Sequence, residues 1–126
     1  MRSIALFAEA YCRLVAHDLF MRSHDFAELH AQVKNYPVRR KAREVNSARD
    51  ICLALERACC FYPKHALCLQ RSAVLIKMLR HRGFPARMII GAQKLPFKAH
   101  AWVELNGEIL NDRLSSREKF LVLEVC

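Results

Sequence analysis

The chain has 126 residues, enough to bury one core and too few for a second domain. Its 53% apolar and 26% charged content is that of a soluble globular chain; with no secretory pattern and no apolar run long enough to cross a bilayer, stable membrane insertion is not expected and the cytoplasm is. A formal net charge of +9 attracts nucleic acid, anionic membrane or acidic peptide alike, but no aromatic platform, zinc-finger or RNP pattern accompanies it, so nucleic acid is not expected as a partner.

Ile4, Phe7, Tyr11, Leu14, Val15 and Leu19 recur at a helical period and predict a helix over 3–22, apolar enough to pack on the domain's own core. Ser23, Asp25 and Glu28 ahead of and among apolar Phe26 and Leu29 predict a capped second helix ending near Asn35. The basic stretch 38–45 reads as a linker or a frayed turn. Ser47 can cap a third helix carrying Ile51, Leu53, Leu55 and Ala58 up to Pro63. On that helix Cys52, Leu55 and Cys59 share the spacing of one buried face, where a free thiol behaves as a small hydrophobe; the six cysteines therefore argue a reducing compartment, not a disulfide scaffold. Cys59, Cys60, His65 and Cys68 are zinc-compatible donors, but they form no C-x-x-C pair and have no second half, so neither metal nor cofactor is expected.

A fourth helix starts at or beside Cys68 and runs to about His81, stopped by Gly83 and Pro85. Its Arg71, Lys77 and Arg80 read as a basic face, either solvated or meeting a partner protein or peptide, and His17, His24, His30 and His81 as surface residues. The period then changes. Strands are expected over 86–92, His100–Leu105, Glu108–Asp112 and Phe120–Val125, with a loop around Leu95-Pro96-Phe97. Helices first and strands second make an α+β domain, N-terminal helices packed on a C-terminal, mostly antiparallel sheet, with residues 1–126 as one unit.

Three residues stand in contexts suited to catalysis. Cys68 opens an apolar helical run, His100 begins a strand, and Asp112 closes the next. A helix N-terminus favours a thiolate, a strand holds an imidazole still, and a carboxylate can orient it. If Asn106-Gly107 form a two-residue turn, His100 and Asp112 fall on opposite sheet faces. A three-residue loop with Gly107 left-handed would pair Glu104 with Glu108 and set His100 opposite Asp112, with Trp102 and Leu110 on their face; the catalytic reading predicts this bulged loop.

Residues 66–112 resemble the leader peptidases of lasso-peptide biosynthesis, within the transglutaminase-like, papain-like cysteine enzymes. The matching words are Cys68-Leu69-Gln70-Arg71-Ser72, Leu79 through Arg87, Ile90-Gly91, Pro96 through Glu104, and Asn111-Asp112. The resemblance implies a Cys68–His100–Asp112 triad that cuts a ribosomally made precursor peptide, after which an ATP-dependent lasso cyclase closes the freed amine onto a carboxylate. It also implies a split layout, in which a separate leader-binding protein recognises the leader, because the chain has no room for such a domain beside the protease. Gln70 is a candidate second oxyanion donor, Trp102 a core residue or pocket wall, and Phe97 part of a substrate-gating loop; the basic face of the fourth helix, if not solvated, would meet the partner protein or the leader. Two rivals remain: acyl transfer to an amine or deamidation on the same scaffold, and a non-enzymatic basic binding module with an incidental triad.

Overall fold

The computed structural model describes residues 2–38, 48–63, 68–93, 98–105, 108–110 and 121–125. Four helices, α1 (Arg2–Met21), α2 (Phe26–Lys34), α3 (Ala48–Phe61) and α4 (Cys68–His81), precede four strands, β1 (Arg87–Gln93), β2 (Lys98–Leu105), β3 (Glu108–Ile109) and β4 (Leu121–Val125). The α+β class holds, with every described pairing antiparallel and the strand order β3-β2-β1-β4. The expected linker beyond Val38, Ser47 and the 94–97 loop with Phe97 lie outside the described residues, as do Asn111 and Asp112. No helix among the described residues is long and apolar enough to cross a membrane.

Local chemistry sets the helix ends. At α2, the Asp25 side chain accepts from Glu28 N at 2.9 Å while the Glu28 carboxylate accepts from Asp25 N at 3.3 Å, a reciprocal capping box. At the end of α4, Gly83 N donates to Arg80 O and Phe84 N to Leu79 O, both at 3.0 Å, with Gly83 at φ 88°. A side chain at Gly83 would meet the steric penalty of the left-handed region. Gly83→Ala is therefore expected to cost about 1 kcal/mol, read as a lower urea midpoint with an unchanged slope.

Helix α4 is the centre of the core. Ala73, Val74, Leu75, Ile76, Met78 and Leu79 are all buried, against Leu6, Ala10 and Leu14 of α1, Leu29 and Val33 of α2, and Ile51, Leu55 and Ala58 of α3. Met88, Val103 and Leu105 join this cluster from one face of the sheet. The apolar α1 also keeps Ile4, Val15 and Leu19 exposed on its other side.

Packing on so many sides draws Arg80 out of the basic face expected on α4 and leaves Arg71 and Lys77 half-buried. Arg80 is only 6% exposed, its Nε donating to Ala86 O and its guanidinium to the carbonyls of Val33 and Tyr36, so it closes the C-terminal end of α2. Lys77 is partly buried against Gln32, and burial, followed by the nearby Arg13, holds its pKa below the ordinary value. His17, read as a surface residue, is buried on α1; His30 and His81 are half-buried, and His24 alone of the four is exposed. A periodicity argument sees one helix face, whereas α4 is covered on several.

Glu9 on α1 joins Arg13, one turn on, to Arg82 after α4. Burial pushes the Glu9 carboxyl up, but hydrogen bonds from Arg82 and Arg13 outweigh it and hold the pKa below the ordinary 4.5. A carboxylate depressed in the folded state contributes stability above its unfolded pKa and loses it as pH falls through the folded value. Stability should therefore decline as pH drops below about 4.5. Urea midpoints of wild type and Glu9→Gln should differ near neutrality and converge in acid, and parallel curves across that range would contradict this coupling.

The hairpin register corrects the bulged-loop expectation. Leu105 pairs with Glu108 and Glu104 with Ile109, leaving only Asn106 and Gly107 between paired residues. Leu110 N donates to Val103 O at 2.9 Å, so Leu110 lies with Val103 and packs on the helical core, not with Trp102. Burying Leu110 rewards this register, and a two-residue Asn-Gly connection suits strand twist. This is the register that the catalytic reading did not predict, and Asp112 itself lies outside the described residues.

Candidate active site

Cys68 is the first residue of α4 and is half-buried. There it lies beside backbone N–H groups that have no partner within the helix, and no acidic residue follows in the first turn. Two residues on, Gln70 is buried and donates from Nε2 to the Leu14 carbonyl of α1 at 3.2 Å. Tyr62, just beyond α3, donates its hydroxyl to the Asp18 carboxylate and also lies 3.3 Å from the Leu14 carbonyl. Desolvation, then the Asp18 partner, pushes the Tyr62 pKa up to about 12, so it stays a donor. The network ties the start of α4 to α1. Gln70, considered above as an oxyanion donor, commits its amide to helix packing in this structure.

Helix α4 packs directly on β2, and β2 carries His100. The register with β1 pairs Gly91 with His100, Ile89 with Trp102 and Arg87 with Glu104, and directly paired residues share a face. His100, Trp102 and Glu104 therefore occupy one face of β2, while Val103 and Leu105 turn to the helical core. His100 is half-buried, its ring centroid 5.9 Å from that of Trp102 with the planes at 34°. Trp102 is wholly buried, donating from Nε1 to Glu104 Oε2 at 2.9 Å. It stands beside His100 with no surface offered to a substrate.

Helix α4, which opens on Cys68, thus packs on the strand that carries His100, but through the Val103 and Leu105 face, and His100 lies on the other face of that strand. Sequence reading missed Tyr62 and Glu104. Strand alternation could have flagged Glu104, two residues past Trp102, whereas nothing local links Tyr62 to residues 44 and 48 positions earlier in the chain.

The other thiols differ in setting. Cys52 is pushed up to about 11 by burial and then by Glu56, and Cys59 is raised by burial although Arg71 opposes the shift. Both pack against the core as the helical spacing predicts. Cys12, Cys52, Cys59, Cys60 and Cys68 are all free. Among the described residues no group of three or more His, Cys, Asp or Glu could hold a metal ion.

Over 56 residues the chain is 38% identical to the microcin J25-processing protein McjB of Escherichia coli, a match covering 44% of this chain and 27% of that protein. No solved structure matches. A model of the transglutaminase-like superfamily matches residues 12–125. That match begins within α1 and ends in β4, taking in both the helical layer and the sheet, and the chain belongs to the transglutaminase-like superfamily.

Proposed function

We propose that this chain is a cysteine endopeptidase of the cytoplasm that removes the leader from a ribosomally made lasso-peptide precursor, working with a separate leader-binding protein. One observation carries the reading: α4 opens on Cys68 and packs on the strand that bears His100. The similarity to a microcin-processing protein supports the substrate class.

In this mechanism the Cys68 sulfur attacks the scissile carbonyl as a thiolate, with the amides of the first turn of α4 favouring negative charge there. The reaction requires the thiol to meet the His100 ring on β2. His100, as imidazolium, protonates the leaving amine; a water, giving its proton to His100, then releases the acyl group and restores the thiol. The proposal also assigns Asp112, which lies outside the described residues, to hold the His100 tautomer and ring angle.

The test is mass spectrometry of a precursor peptide encoded beside the gene for this chain, incubated with and without the leader-binding protein, and with an added primary amine. Cleavage at one bond, faster with the leader-binding protein, is the expected result. Incorporation of the amine in place of water would make the enzyme an acyltransferase, and no product under any condition would refute the proposal.

A further inference from the structure

His100, Trp102 and Glu104 stand in a row along one face of β2, at every second position. Glu104 is 3% exposed, on a face where the neighbouring Ile89 and Trp102 are 0% exposed. Burying a carboxylate is costly, so a glutamate there needs a compensating bond, and one is visible in the 2.9 Å contact from the indole Nε1. That hydrogen bond sets the plane of the indole, and the indole lies against the His100 ring at 5.9 Å and 34°. Across the ladder His100 faces Gly91, which offers no side chain.

We infer that Glu104 is a positioning residue for His100, acting through Trp102: the carboxylate fixes the indole, and the indole limits the angles open to the imidazole. The inference rests on the proposed role of His100 as proton carrier and deepens it. General acid–base transfer needs the ring held to within about 10–20° of its productive angle, and a misplacement of about 1 Å can cost 10²-fold in rate. Hydrogen-bond acceptance, not charge, is what the relay requires of residue 104. Glutamine should therefore substitute and leucine should not.

The test compares Glu104→Leu, Glu104→Gln and Trp102→Phe, the last keeping an aromatic ring while removing the N–H. Precursor cleavage gives kcat and KM, and NMR of ¹³C-histidine-labelled protein follows the His100 ring, assigned with His100→Gln. Glu104→Leu and Trp102→Phe should lower kcat by about 10–100-fold with KM within about twofold, and should shift or broaden the His100 resonance. Glu104→Gln should stay close to wild type in both. An unmoved His100 resonance in Glu104→Leu and Trp102→Phe, with only the melting temperature lowered, would reduce the row to packing and overturn the inference. A loss in Glu104→Gln as deep as in Glu104→Leu would also overturn it, since charge would then be the requirement. If wild type cleaves no precursor, the proposed function fails, while the His100 resonance still decides the relay.

Discussion

Cys68→Ala should lower the rate of precursor cleavage by at least about 10³-fold while leaving the fold and the melting temperature close to wild type. Cys68 is half-buried at a helix start, outside the tightly packed centre of α4, so losing its sulfur removes chemistry with little packing. His100→Ala should fall by a similar factor, and the double variant should be no slower than either single one, because in the proposed mechanism nucleophile and proton carrier act as a unit. Single-turnover assays with and without the leader-binding protein would show this. Additive losses would mean that Cys68 and His100 do not share one step, and retained cleavage by Cys68→Ala would remove the nucleophile altogether.

The largest stability effect is expected at Arg80. One guanidinium serves carbonyls of Val33, Tyr36 and Ala86, from the end of α2 and the turn leading into β1. Arg80→Met keeps much of the buried stem but leaves those acceptors to find other partners in a closed site. A buried acceptor that loses its donor costs about 1–3 kcal/mol, so a net loss of about 3 kcal/mol is expected. Against a total of about 5–15 kcal/mol for a domain of this kind, that is a large fraction. Arg80→Lys should recover only part of it, since a single ammonium cannot reproduce the planar fork. Equilibrium urea unfolding measures both, and a change below about 1 kcal/mol for Arg80→Met would show that the site relaxes or admits water. The same substitution should leave the cleavage rate of folded protein near wild type, which separates this residue from the row proposed to act on β2.

The helices were legible because their signals are local. The Asp25–Glu28 capping box, the Gly83 stop and the apolar spacing on α1 and α3 act within a few residues, and the structure places those elements where the spacing predicts. The strands were legible from a change of period, which also put His100 on β2, although the strand begins two residues earlier, at Lys98. The hairpin register was less so. Both the two-residue and the three-residue connection fit Asn106-Gly107, and the choice turned on whether Leu110 could be buried with Val103. That depends on a helical layer distant in sequence.

The amino-acid sequence by itself determined the α+β order, the helix ends, and the placement of Cys68 at a helix start and His100 on a strand, because each is written in spacing and capping over a few residues. Only the tertiary structure decided that Arg80 and Lys77 turn inward, that Gln70 is taken up by α1, and that Trp102 is closed off behind His100 with Glu104 on its N–H. The physical reason is that burial belongs to the assembled layers. A charged or amide side chain becomes structural when a neighbouring element covers it and supplies acceptors, and no local pattern along one helix or strand records which element that is.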